Sequence, residues 1–158
     1  MLDRAIMNRN RNINRGYRKL EVWKEAISLS VFVKEKVRFL SQLPFKVRAQ
    51  IEDSAFSVAS NIAEGYARRS IKENIQFNTI ALASLAENYT QIFTLFSGND
   101  IEKEWFDQYD TRHYSVENKL LSLNMSQIEK LNNQEEWKSD YKISELVEPY
   151  IIKSESSE

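Results

Sequence analysis

The sequence predicts an all-α fold: an up-and-down four-helix bundle with a basic, flexible N-terminal arm and an acidic C-terminal tail. Three observations carry that prediction. Of 158 residues only five are helix breakers, namely Gly16, Pro44, Gly65, Gly98 and Pro149. Sandwiches and barrels need turn residues about every ten positions. Apolar residues instead recur in alternating steps of three and four along long uninterrupted stretches, the mark of helices buried on one side. With 42% apolar residues, the chain can fill a core without disulfides or a structural metal.

Residues 1–16 contain four Arg and four Asn and no helical stripe, and they are assigned to the arm. A bundle is expected over 17–133 and a tail, docked in part or disordered, over 134–158. The first helix should run from about Arg18 to Leu40. Its stripe is Trp23, Ala26, Ser30, Val33, Val37 and Leu40, widened by Ile27, Leu29 and Phe32. Ser41 to Phe45 form the connection, because Pro44 disfavours a helical residue before it. The second helix should span Lys46 to Ala67, with Ile51, Ala55, Val58, Ile62 and Gly65 as its seam. Small residues dominate that seam and would let a neighbouring helix approach closely.

The third helix has the clearest start. Ser70-Ile71-Lys72-Glu73 matches a capping box. Ile71, Ile75, Asn78, Leu82, Leu85, Tyr89, Ile92 and Phe96 then keep a heptad spacing, as near-parallel bundle packing requires. Gly98 supplies a C-terminal stop. The fourth helix should cover Tyr114 to Asn132 around a core of Val116, Leu120, Leu121, Leu123, Met125, Ile128 and Leu131. Ile101, Trp105, Phe106 and Tyr109 keep helical spacing over 99–112 and are candidates to extend it. Trp137, Tyr141, Ile143, Leu146 and Tyr150 could dock before Pro149, but no element is assigned to them.

The net charge of −1 hides an asymmetry. Residues 1–48 hold twelve Lys/Arg against four Asp/Glu, a net of +8; residues 49–158 hold ten against nineteen, a net of −9. The basic half could meet nucleic acid or the acidic half of a neighbouring subunit. Arg4, Arg9, Arg11, Arg15, Arg18 and Lys19 are the candidate nucleic-acid contacts, each able to neutralise a phosphate. A solvated disordered tail is the plainer alternative.

Catalytic chemistry finds little material. The chain has no Cys and one His, His113, which is assigned to the surface or a helix edge. A di-iron bundle needs two inward Glu-x-x-His pairs, and catalytic zinc also needs more ligands than this. A serine nucleophile would have only His113 as its base. Adjacent carboxylates such as Glu52-Asp53 and Glu135-Glu136 point to different faces. No enzyme, cofactor or metal is expected. No apolar run approaches the roughly 18 residues of a membrane span, and no secretory leader is visible. A soluble, cytoplasmic protein without a membrane partner is expected. Among polar residues near the seams, Glu64 and Arg68 at i,i+4 are either a surface pair or, with Asn61, part of a buried network that sets register. Asn78 is a second register candidate.

Several blocks together resemble one family. They are Tyr17-Arg-Lys-Leu-Glu-Val-Trp23 with Ala26, Ser60-Asn61-Ile-Ala-Glu64-Gly65, Arg69-Ser70 with Lys72-Glu73, and Ile80-Ala81 with Ser84-Leu85-Ala86-Glu87. This pattern is similar to the bacterial four-helix-bundle family of 23S rRNA intervening-sequence proteins, from about Tyr17 to Leu131. Distant relatives are accessory proteins of diversity-generating retroelements. The resemblance implies an up-down bundle that assembles into a homopentameric barrel. It also implies association with ribosomal RNA, inferred from gene location, while the retroelement relatives bind reverse transcriptase and RNA. It brings no catalytic residues; its motif positions are Trp23, Asn61, Glu64, Gly65, Arg69, Ser70, Glu73 and Glu87. One departure stands out. Where the family has Gln-Leu-Arg-Arg-Ala, this chain has Gln50-Ile51-Glu52-Asp53-Ser54. Two positive charges become two negative ones, which would repel phosphate on that surface and shift weight to the arm. The expected function is a non-enzymatic oligomeric scaffold, RNA-associated through its arm; the alternative is a protein-binding adaptor without nucleic-acid contact.

Overall fold

Pro44, Ser70 and the Gly98-Asn99 pair divide the chain into four helices. The computed structural model describes residues 16–137. A short 3₁₀ turn, Gly16–Lys19, precedes α1 (Glu21–Val37), α2 (Phe45–Ala67), α3 (Ile71–Ser97) and α4 (Lys103–Asn132), and no strand occurs among the described residues. Arg4, Arg9, Arg11, Arg15, Tyr141, Ile143, Leu146, Pro149 and Tyr150 lie outside the described residues. Each helix packs against two neighbours: α1 on α2 and α4, and α3 on α2 and α4. Short connections make successive helices antiparallel, so the ring is an up-and-down bundle.

The helix ends follow local chemistry. Leu20 takes an extended conformation (φ −71°, ψ 121°), so the expected single helix from Arg18 becomes a 3₁₀ turn and then α1. Beyond Val37 the chain tightens, with Phe39 N–H and Leu40 N–H donating to the carbonyls of Lys36 and Val37 at 3.0 and 3.1 Å. That turn swings Leu40 into the core. The Ser70 cap forms as expected: the Glu73 N–H donates to Ser70 Oγ at 3.2 Å. The return contact differs from a full capping box, since the Ser70 hydroxyl itself donates to Glu73 Oε2 at 3.0 Å. Gly98 is the C-cap of α3 but stays right-handed (φ −82°), and Asn99 takes the left-handed position at φ 62°. Asn99 N–H then donates to Phe96 O and Asp100 N–H to Leu95 O, a Schellman closure. α4 ends the same way on Gln134 at φ 58°.

The core departs from the apolar stripes in two helices. In α3 the buried seam is Ile71, Asn74, Asn78, Ala81, Leu85, Asn88, Ile92 and Leu95. The expected Ile75, Leu82, Tyr89 and Phe96 are half-buried flanks one position further on. α4 is one continuous helix of 30 residues, so the segment that is a candidate to extend the Tyr114–Asn132 helix does extend it, back to Lys103. In its second half Leu121, Met125 and Ile128, expected in the core, are exposed, whereas Asn124 and Gln127 are buried. The rotation is set upstream, where Phe106, Tyr109, His113, Val116 and Leu120 occupy the inward line. A straight helix carries that line on to Asn124 and Gln127, whatever their polarity.

Gly65 sits at a close approach of α2 and α3. A Cβ there would lie 2.7 Å from Phe77 Cβ and 3.2 Å from the Asn74 carbonyl oxygen. Neither atom can yield without moving α3. Gly65→Ala should therefore lower the unfolding free energy by about 1–3 kcal/mol, even though Ala is the better helix former by about 1 kcal/mol. Urea titration checks this; an unchanged or raised midpoint would show that the helices separate freely at this point.

Candidate interaction surfaces

The motif residues are spread over the inside and outside of the bundle. Trp23 is half-buried with its ring edge-on to Tyr17 at 5.2 Å. Asn61 turns back on its own helix, donating to Ser57 O at 2.8 Å and Ser57 Oγ at 2.9 Å. Glu64 pairs with Arg68 on the exposed side of α2. Arg69 is exposed, and Glu87 accepts from Gln91 Nε2 at 3.2 Å on the outside of α3. Of the candidate nucleic-acid contacts, only Arg18 and Lys19 are described, both in the 3₁₀ turn, and the Arg18 guanidinium lies 5.3 Å from the Tyr17 ring. Glu64 and Asn61 thus form no buried network with each other. Asn78 is buried, donating to Asn74 Oδ1 at 3.2 Å.

The network that does tie helices together was not among the sequence candidates. Asn88, fully buried on α3, donates to Ile51 O at 3.0 Å and to Ser54 Oγ at 2.9 Å on α2. Its Oδ1 accepts from the Tyr109 hydroxyl of α4 at 2.8 Å. Ser54 completes the chain by donating to Gln91 Oε1 at 2.7 Å. Burial pushes the Tyr109 phenol up, so it remains a donor. The signal available beforehand was the seven-residue recurrence Asn74, Ala81, Asn88, Leu95, which apolar counting passes over.

His113 is buried on α4, against the expectation of a surface position, because it falls on the inward line between Tyr109 and Val116. Its ring lies 4.7 Å from that of Tyr89 and 5.9 Å from that of Tyr109. Its Nε2 is enclosed without a hydrogen-bond partner. Burial holds the imidazole below the ordinary histidine range, outweighing Glu117, the Leu85 carbonyl and Asp110, which favour the cation. Among the described residues, no group of three or more His, Cys, Asp or Glu could hold a metal, and no helix is long and apolar enough to cross a membrane.

Among the described residues, large apolar side chains are exposed singly on α1, α2 and α3 at Val31, Phe56, Ile80 and Phe93, and in groups at two places. On α4, Tyr114, Leu121, Met125 and Ile128 follow one another at steps of seven, four and three, and are 45–70% exposed. A shallow groove along this face is lined by Met125, Ile128, Glu129 and Asn132. At the opposite end of the bundle, Phe39 and Phe45 flank the α1–α2 turn. Below α4 the chain crosses to the α2–α3 connection, where Trp137 Nε1 donates to the Arg68 carbonyl at 2.7 Å and its ring meets Tyr66 edge-on at 6.0 Å.

A family model described as "23S rRNA-intervening sequence protein" matches residues 18–122. Among solved structures, the chain is similar to a protein of unknown function from the S23 ribosomal protein family of Bacteroides thetaiotaomicron VPI-5482, determined at 1.70 Å. The two share 23% identity with a TM-score of 0.62, over 66% of this chain and 95% of that one. No curated protein matches.

The buried histidine makes a pH prediction. In the unfolded chain His113 should titrate near 6.5; in the folded chain it titrates lower. The unfolded state therefore binds more protons between those values, and stability falls as the pH drops through and below 6.5. Between pH 7.5 and 5.5 the wild type should lose more stability, by urea midpoint, than His113→Gln does. Equal losses in the two proteins would remove His113 as the titrating group.

Proposed function

The chain belongs to the 23S rRNA-intervening sequence protein family, and from that premise we propose that it is a non-enzymatic scaffold that binds copies of itself and RNA. The outer face of α4 carries the reading. Leu121, Met125 and Ile128 point to solvent while Asn124 and Gln127 on the same two turns point inward. A monomer gains nothing from that arrangement, since it hydrates the apolar side and strips water from the amides. A second copy seated on the face reverses the first cost. The resemblance implies five copies, and a barrel of helical bundles uses such a face in every subunit. The enclosed position of His113 supports a non-catalytic role. The family description and the +8 charge of residues 1–48 support RNA as partner, with Arg4, Arg9, Arg11, Arg15, Arg18 and Lys19 as its contacts.

Sedimentation at micromolar concentration should give a mass well above the 18.6 kDa of one chain. Replacing Leu121, Met125 and Ile128 together by Ser should shift it toward that mass with the helical circular dichroism retained. A wild-type monomer would sink the self-association reading. Oligomer formation without salt-sensitive RNA binding would leave the protein-binding adaptor instead.

A further inference from the structure

The two most exposed apolar side chains among the described residues are Phe39 and Phe45, at 80% and 78%. Both belong to the α1–α2 turn. Their exposure follows from the turn's own anchoring. Leu40 is buried and Leu43 half-buried, with Leu43 N–H donating to Leu40 O at 3.1 Å. Pro44 then caps α2 with its φ at −54°. The inward positions are taken by the two leucines, so the phenylalanines face out from a turn that is held in place.

The charges around these rings are uncommitted. Elsewhere on the bundle Lys24, Lys36, Lys103, Lys119 and Arg68 are held by carboxylates, Arg112 lies 4.6 Å from the Phe32 ring, and Arg69, Lys72 and Lys130 are in no ion pair among the described residues. Among the described residues, no such pair is formed by Lys34 or Arg38 at the end of α1, or by Lys46 or Arg48 at the start of α2. The Arg48 Nε is enclosed without a partner. Glu35 is the one carboxylate between positions 34 and 48. Acidic residues bound the patch beyond it: Glu52 and Asp53 further along α2, and Asp100 and Glu104 at the α3–α4 connection on the same end of the bundle. The exposed apolar groups here are flat rings, not aliphatic chains.

Exposed planar rings on a turn whose two flanking helix ends carry unpaired cations fit a partner with flat faces and closely spaced negative charge. We propose that the α1–α2 turn is a docking platform for single-stranded nucleic acid. Phe39 and Phe45 each stack on a base, and Lys34, Arg38, Lys46 and Arg48 meet the flanking phosphates. Duplex hides its base faces and is excluded by the same geometry. The acidic borders limit the footprint to a few nucleotides. This platform rests on the reading of the chain as an RNA-associated scaffold and adds a contact at the turn, separate from the one on the arm.

The test uses the full chain and fluorescein-labelled oligouridylate and oligothymidylate of about twelve nucleotides, with fluorescence anisotropy at low and moderate salt. Phe39→Ala/Phe45→Ala should weaken binding at least tenfold with an unchanged thermal melt. Arg38→Gln/Lys46→Gln should flatten the salt dependence. A second full-length variant, with Arg4, Arg9, Arg11 and Arg15 changed to Gln, separates the two sites. If that variant loses binding and the phenylalanine variant keeps wild-type affinity, the arm reading stands and the platform fails. No binding by wild type at low salt overturns it as well. So does ring-dependent binding to phosphatidylserine vesicles without oligonucleotide binding. A smaller sedimenting mass for the phenylalanine variant would assign the rings to subunit contacts and also overturn it. Preference for oligouridylate over oligothymidylate would identify RNA, and equal affinity would identify either single strand as the ligand; both support the platform.

Discussion

The bundle depends on one buried amide. Asn88 is sealed from water and meets three partners, the Ile51 carbonyl and Ser54 hydroxyl of α2 and the Tyr109 hydroxyl of α4. Apolar side chains in a four-helix core can slide past one another at little cost, because dispersion has no direction. A buried amide cannot slide, since each unmatched donor or acceptor costs about 1–3 kcal/mol. Turning α3 by one residue would orphan all three contacts together. The position of α3 against α2 and α4 is therefore discrete, and the close approach at Gly65 becomes a consequence of it.

From that setting the outer surface follows. Tyr109 must face Asn88, and so α4 is oriented at its first three turns. Four turns later the same orientation buries Asn124 and Gln127 and turns Leu121, Met125 and Ile128 outward. The polar network inside and the apolar face outside are thus two ends of one rigid element. The aromatic pairs around the network, Phe96 on Phe106 at 4.3 Å and Trp105 on Phe32 at 4.9 Å, fasten the first half of α4 to both of its neighbours. Its second half has no aromatic pair to a neighbouring helix and is held to α1 by Lys119 and Glu25, with its apolar side exposed.

Charge is arranged on a similar plan. The ion pairs Lys36–Glu102 and Glu25–Lys119 close α1 against α4 and consume cations in doing so. Among the described cations left outside these pairs, Lys34, Arg38, Lys46 and Arg48 flank the α1–α2 turn, while Arg69, Lys72, Arg112 and Lys130 lie elsewhere on the bundle. Such exposed pairs contribute little stability individually. Their larger effect is to decide which lysines and arginines stay available to a partner.

The sequence by itself determined the four helices, the Ser70 cap, the Pro44 boundary and the small-residue seam containing Gly65. Each of these is a local matter, settled by spacing within a turn or by one residue's backbone preference. The family blocks were legible for the same reason, being short and contiguous. Only the tertiary structure decided the exact rotation of α3 and α4 about their inward faces. Counting residues at helical spacing found Ile71, Asn78, Leu85, Ile92, Val116 and Leu120, which are buried, but paired them with Ile75, Leu82, Tyr89 and Phe96 and with Leu121, Met125 and Ile128. The bundle chose Asn74, Ala81, Asn88 and Leu95, and then Asn124 and Gln127. His113 went inside with them. The reason is that a helix has one rotation for its whole length, and a hydrogen bond between helices fixes that rotation more sharply than an added methylene does. Asn88 and Tyr109 are 21 residues apart, and nothing in either segment alone announces the other.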